Sequence, residues 1–178
     1  RRDGAVRVWG PARPHPATVS VPGDISAAAF LLAAAAGLPG SDLRLKGVGV
    51  NPTRTGLLEV LERMGVPVRI ESLRVESAEP RADLVLQTPK SGLRIHGVEI
   101  GGEMIPRLID ELPAIAALAT QSDGDTIIRD AAELRVKESD RITALAEGLT
   151  AMGARVESRL LQNRLDGLRQ TTMPKLAR

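Results

Sequence analysis

The sequence contains no cysteine and no tyrosine, and only one phenylalanine and one tryptophan. Without cysteine there are no disulfides, no thiol nucleophile and no cysteine-held metal. The two histidines, His15 and His96, lie far apart, form no metal motif and read as surface residues. The scarcity of aromatic rings removes the stacking platforms that single-stranded nucleic acid requires. The charge balance, 24 basic against 22 acidic side chains, is too mild for a nucleic-acid footprint. Lysine is scarce as well: Lys46, Lys90, Lys137 and Lys175 are all there are, so arginine carries most of the positive charge. Long apolar runs are missing. The longest, Ala27 to Ala36, is half of the roughly 20 residues that a membrane helix takes. The basic N-terminus has no apolar signal core. The expectation is a soluble, cytoplasmic protein with neither a nucleic-acid nor a membrane partner. Its 178 residues suffice for one domain with a real core.

What is present is punctuated regularly. Arg1 to Pro16 is rich in Arg and Pro, and Pro11, Pro14 and Pro16 forbid a regular helix. A short strand is expected at Thr18 to Val21. Asp24 or Ser26 can cap a helix reaching Ala36 and stopping at Gly37. That helix is apolar on every face, which predicts burial all round. A strand near Asp42 to Lys46 and a loop through Gly47 to Pro52 lead to an amphipathic helix from Thr53, its cap, to Met64. Strands are predicted at Pro67 to Glu71 and Ala82 to Gln87, with a further possible strand within Ser72 to Arg81. Leu93 to Ile95 and Val98 to Ile100 read as extended. Asp110 precedes an apolar helix, Pro113 to Ala119, with Pro113 in the first turn and Asp110 placed to cap it. Asp125 to Arg129 reads as a strand, Ile142 to Met152 as a helix, and Arg155 to Glu157 as the start of another strand.

The order recurs, and so does the sequence. Glu62-Arg63-Met64-Gly65-Val66-Pro67-Val68 matches Thr150-Ala151-Met152-Gly153-Ala154-Arg155-Val156 at a shift of 88 (153 − 65), and Gly40 matches Gly124 at a shift of 84. Each copy holds an all-apolar helix, a strand, an amphipathic helix and a strand pair. Repeats of this size stack so that each covers its neighbour's apolar face.

One stretch stands out. Five residues of Arg135-Val136-Lys137-Glu138-Ser139-Asp140-Arg141 are charged, directly before a helix. Helix entrances expose unpaired N–H groups and favour anions. Lys137 and Arg141 add cations there and Glu138 a carboxyl group. The arrangement suits an anionic ligand with an acid or base beside it, and a solvated helix start is the bland alternative. The corresponding loop of the first copy, Asn51-Pro52-Thr53-Arg54, carries far less charge, which assigns the chemistry to the second copy's loop alone.

Ile109-Asp110-Glu111-Leu112-Pro113, the stretch Glu133 to Arg141, and Val21-Pro22-Gly23-Asp24-Ile25-Ser26 together resemble the enolpyruvyl-transferase family, and within it the members that act on 3-phosphoshikimate. The likeness runs from about Thr18 to Glu157. It implies an α/β (α+β) fold of repeated βαβαββ units, inner helices covered by sheets, as an incomplete domain. Residues 1–21 would end an N-terminal domain and hinge, 22–158 would be two of three repeats of the C-terminal domain, and 159–178 a divergent tail containing Asp166-Gly167-Leu168. The implied reaction moves the enolpyruvyl group of phosphoenolpyruvate to the 5-hydroxyl of 3-phosphoshikimate and releases phosphate, with no cofactor and no metal.

The resemblance also implies roles. Asp110 would bind the substrate hydroxyls and accept a proton, and Glu138 would protonate the methylene carbon. Lys137 would contact 3-phosphoshikimate, Arg141 would hold phosphoenolpyruvate, and Glu133 would touch substrate. Arg135 and Asp140 fit an ion pair as well as a site. Asp24 and Ser26 read as caps. The family's N-terminal Lys, Ser and Arg ligands and its later His-Arg and Lys do not occur, so the chain alone is expected to be inactive and the full-length protein to be a monomer. Two other readings stand beside this one. A UDP-N-acetylglucosamine enolpyruvyl transferase lacks the 135–141 pattern and usually uses a cysteine. A repeat-built interaction module would have lost its chemistry.

Overall fold

The computed structural model describes residues 9–11, 13, 15–135, 139–158 and 167–171, the last five as strand backbone. The first helix, α1 (Ile25–Gly37), starts where the Asp24 carboxylate accepts from the backbone N–H groups of Ser26 and Ala27. A cap of this kind satisfies donors that have no partner in the first turn. There follow β1 (Asp42–Gly49), α2 (Gly56–Arg63), β2 (Arg69–Glu76) and β3 (Glu79–Gln87). These strands form an antiparallel sheet in the order β1-β3-β2. The second half comprises β4 (Glu99–Ile100), a 3-10 segment Gly102–Arg107, α3 (Leu112–Ala119), β5 (Thr126–Arg129), a 3-10 segment Ala132–Arg135, α4 (Arg141–Ala151), β6 (Arg155–Ser158) and β7 (Gly167–Thr171). Its sheet runs β4-β5-β7-β6, with β4 parallel to β5 and the other pairs antiparallel.

The repeat is therefore structural. The order β5-β7-β6 reproduces β1-β3-β2. Arg69 pairs with Val85, and Arg155 with Thr171, both partners displaced by 86 (155 − 69; 171 − 85). The groove between α2 and β2 recurs between α4 and β6, with Thr55, Leu58, Glu59 and Val68 replaced by Thr143, Ala146, Glu147 and Val156, each 88 positions on. In the tail, Gly167–Thr171 occupies the place of β3 in the second sheet, inserted between β5 and β6. Divergent sequence hid that equivalence, because a strand position fixes backbone pairing and face but tolerates many side chains.

The core is built from both copies. Leu32 of α1, Leu57 and Leu61 of α2, Leu84 and Leu86 of β3, and Leu112 and Ile115 of α3 are all fully buried. Helices α1 and α3 pack against each other, and α1 also lies on β1 and β3. The expected burial of α1 on every side does not hold: Phe30 and Leu31 are 56% and 52% exposed. Phe30, Ala33 and Ala34 of α1, with Ala114, Ala117 and Leu118 of α3, line an apolar groove of about 420 Å³. An all-apolar helix states that its faces should be covered, and not that the cover lies within the residues at hand.

Other boundaries differ for local reasons. Thr18 to Val21 forms no strand; one parallel bridge, Gly23 to Val48, marks the entry to the first copy. Helix α2 begins at Gly56 because the Asn51 side chain accepts from Thr53 N–H at 3.1 Å and from its hydroxyl at 2.9 Å, which holds a turn. Thr53 is thus not the cap. Residues 69–87 form one long hairpin turning at Ser77-Ala78, both with positive φ. Leu93 to Ile95 is not a strand. Asp110 does not cap α3; Glu111 occupies the N-cap position and makes no side-chain cap bond.

Candidate active site

The entrances of four helices meet at one place. Ser26 lies in the first turn of α1, Arg54 just before α2, Asp110 and Glu111 just before α3, and Arg141 is the first residue of α4. The Ser26 hydroxyl donates to Glu111 Oε1 in a very short hydrogen bond. Arg54 Nη2 donates to Ser26 Oγ at 3.1 Å and to Glu111 Oε1 at 3.3 Å, and lies 3.6 Å from Asp110 Oδ2. On the other side, Arg141 Nη1 stands 3.8 Å from Asp110 Oδ1. Asp110 is thus flanked by guanidinium groups from two loops 87 residues apart in sequence (141 − 54). The two arginines are balanced in formal charge by Asp110 and Glu111, and the converging helix entrances add the bias towards an anion such as phosphate or carboxylate.

Glu111 is completely buried, whereas the Asp110 carboxyl remains 36% exposed and within reach of a ligand. A buried carboxylate needs a cation or several donors. Arg54 and Ser26 supply them to Oε1, while Oε2 is buried without a hydrogen-bond partner among the described residues.

The remaining candidates fall around this centre. Asp140 caps α4: its carboxylate accepts from Ile142 N–H at 3.1 Å and from Thr143 N–H at 3.0 Å. Bonds from the backbone and then the hydroxyl of Thr143 hold it below the usual aspartate range, Arg135 adds to this, and desolvation opposes it. Arg135 binds Asp140 Oδ2 at 3.1 Å and Ser158 Oγ at 3.0 Å, tying the loop to β6. Both act here as scaffold. Glu133 sits exposed on the 3-10 segment Ala132–Arg135. Lys137 and Glu138 lie outside the described residues.

Arg54, Ser26 and Glu111 were not legible as site residues. Arg54 belongs to the loop of the first copy, which the expectation above left without chemistry, yet its guanidinium reaches Ser26, Glu111 and Asp110. The signals were the repeat, which makes the 51–54 loop equivalent to the charged loop, and a glutamate joined directly to an all-apolar helix.

Comparison with known proteins defines the class. The enolpyruvyl transferase NikO from Streptomyces tendae has the same fold, with a TM-score of 0.53 and 21% identity over 82% of this chain and 29% of that one. EPSP synthase from Acinetobacter baumannii superposes with a TM-score of 0.78 at 39% identity, covering 88% of this chain and 34% of that chain. The architecture is thus that of the enolpyruvyl transferases. The family model for EPSP synthase (3-phosphoshikimate 1-carboxyvinyltransferase) matches residues 1–175, well beyond Glu157. The 3-phosphoshikimate 1-carboxyvinyltransferase of Anaeromyxobacter sp. (strain Fw109-5) is 53% identical over 157 residues, 88% of this chain and 36% of the relative. That of Pelotomaculum thermopropionicum (strain DSM 13744 / JCM 10971 / SI) is 56% identical over 155 residues, 87% of this chain and 35% of the relative. The chain belongs to the EPSP synthase family. It spans about a third of the length of the curated relatives it matches, and these relatives do not favour the two other readings.

Proposed function

We propose that the full-length protein containing this chain transfers the enolpyruvyl group of phosphoenolpyruvate to the 5-hydroxyl of 3-phosphoshikimate, and that residues 110–141 supply its proton-transfer groups. The observation that carries the proposal is Asp110 held between Arg54 and Arg141 at converging helix entrances, semi-exposed beside a buried glutamate. Addition joins the 5-oxygen to C2 of phosphoenolpyruvate while the methylene carbon gains a proton. Elimination removes a proton from the resulting methyl group and expels phosphate. Asp110 takes the hydroxyl proton and Glu138 donates to the methylene carbon. Arg141 pairs with the phosphoenolpyruvate anion, Lys137 with oxygens of 3-phosphoshikimate, and Glu133 touches substrate. No metal or cofactor enters these steps.

In this reading residues 1–21 end the N-terminal domain, 22–158 are two of three repeats of the C-terminal domain, and the site closes between domains. A cytoplasmic monomer is its setting. The test is phosphate release with both substrates. The full-length protein should release phosphate from phosphoenolpyruvate only when 3-phosphoshikimate is present, and residues 1–178 alone should not. Release by the isolated chain would show that no second domain is needed.

A further inference from the structure

We infer that Arg54, contributed by the first repeat and anchored by the buried carboxylate of Glu111, is a positioning residue for Asp110; the inference rests on the proposed reaction. A single nitrogen, Arg54 Nη2, faces Ser26 Oγ at 3.1 Å, Glu111 Oε1 at 3.3 Å and Asp110 Oδ2 at 3.6 Å. Asp110 and Glu111 are neighbours in sequence, and both carboxylates point to that nitrogen. Two adjacent negative groups repel unless a cation lies between them. Glu111 is the anchored member, with no exposed surface and a short bond from the Ser26 hydroxyl. Asp110 is the semi-exposed member, with Arg54 Nη2 3.6 Å from Oδ2 and Arg141 Nη1 3.8 Å from Oδ1. The guanidinium therefore takes its position from Glu111 and Ser26 and gives position to Asp110.

The stem of Arg54 is held from its own side. Its backbone N–H donates to Asn51 O at 2.8 Å. Arg107 donates to Pro52 O at 3.1 Å and ties the same loop to the segment that leads into α3. The residue is 45% exposed along its side chain, so its contact with Glu111 is not a by-product of deep packing. A surface arginine without a fixed partner samples many rotamers, and this one has a buried anchor.

The proposal separates Arg54 from a substrate-binding arginine. A residue acting through Asp110 lowers kcat when removed and leaves KM of phosphoenolpyruvate nearly unchanged, any rise being confined to 3-phosphoshikimate, whose hydroxyls Asp110 would bind. One that holds a substrate anion raises KM. The experiment is a double-mutant cycle in the full-length protein: Arg54→Gln, Asp110→Asn and the pair, read by phosphate release at saturating phosphoenolpyruvate and 3-phosphoshikimate. Arg54→Gln should lower kcat by on the order of 10²-fold, the cost of displacing a reacting group by about 1 Å. In the Asp110→Asn background the same change should cost less than about threefold, because the effect has no group left to act through. Arg54→Lys should recover most of kcat, since an ammonium can occupy the place of Nη2.

Additive losses in the cycle, or a rise in KM with kcat kept, would overturn the proposal. Should the wild-type protein release no phosphate, the functional reading fails and the positioning claim is decided by crystallography. In Arg54→Gln the Asp110 carboxyl should then leave its place beside Arg141. An unmoved Asp110 would refute positioning independently of activity.

Discussion

Single side chains in this chain separate into those that cap helices and those that converge with arginines at the helix entrances, and the same residue types serve both. Asp24 and Asp140 are caps, each accepting from two backbone N–H groups of the helix it starts. Asp110 stands one residue ahead of the N-cap position of α3 and faces two arginines. In the full-length protein Asp24→Ala should lower stability by about 1 kcal/mol, seen as a lower denaturant midpoint; an unchanged midpoint would mean that the cap is redundant. Asp140 adds a pH dependence. Its folded carboxyl titrates below the usual aspartate range, so its contribution is complete above that range and is lost as pH falls through the folded value. Wild type should melt above Asp140→Asn near neutrality, with the gap closing in acid. A gap independent of pH would remove the charge from the explanation. The sequence read Asp24 as a cap, gave Asp110 both a cap and a catalytic role, and left Asp140 between ion pair and site, since capping and catalysis both place a carboxylate at a helix entrance.

At the scale of elements, close approach between the repeats sets the limits. Gly56 opens α2, and a Cβ there would stand 2.9 Å from Leu108 Cδ2 and 3.1 Å from the Cβ atoms of Arg107 and Leu108. Leu108 is fully buried, so it has nowhere to retreat. Nearby, Arg107 pairs with Glu59 of α2 and holds that carboxyl below its usual range. Gly148 is the contrast: it lies within α4 with nothing within 4 Å of its would-be Cβ. Gly56→Ala should therefore cost about 1–3 kcal/mol, whereas Gly148→Ala should add about 0.4–1 kcal/mol. Melting temperatures of the two variants should move in opposite directions, and a shift of both the same way would contradict the packing of α2 on the 3-10 segment. Helix existence was legible here from apolar spacing, and α1, α2, α3 and α4 all occur. The first turn of α2 was not, because Asn51 imposes a turn that competes locally with helix, whereas Asp24 caps α1 as read. The long β2–β3 hairpin was read as separate strands since Ser77 and Ala78 are unremarkable turn residues by type.

Across the whole molecule, a duplicated unit brings distant loops to one spot. Shifts of 84 and 88 in the sequence anticipated two copies, and the paired strand orders bear this out. The sequence singled out Asp110 and the charged loop, and Arg141 of that loop stands 3.8 Å from Asp110, while Lys137 and Glu138 lie outside the described residues. Arg54 and Glu111 were not singled out, since pairing across copies leaves no periodic trace. The exposed side of α1 was also misread, because hydrophobicity reports a demand for cover and not its supplier. On the proposed function Asp110 moves the proton while the Arg135–Asp140 ion pair only shapes the charged loop. Arg135 is part of that scaffold, its side chain largely enclosed against Asp140 and Ser158, so Arg135→Ala should lower the melting temperature more than it lowers turnover of the folded enzyme. The direct measurement is phosphate release by the full-length protein carrying Asp110→Asn, with saturating phosphoenolpyruvate and 3-phosphoshikimate, beside Arg135→Ala well below its melting point. The account expects Asp110→Asn to lose on the order of 10²–10⁴-fold in turnover while Arg135→Ala stays within about tenfold of wild type. Near wild-type turnover by Asp110→Asn, or abolition by Arg135→Ala while it remains folded, would contradict it.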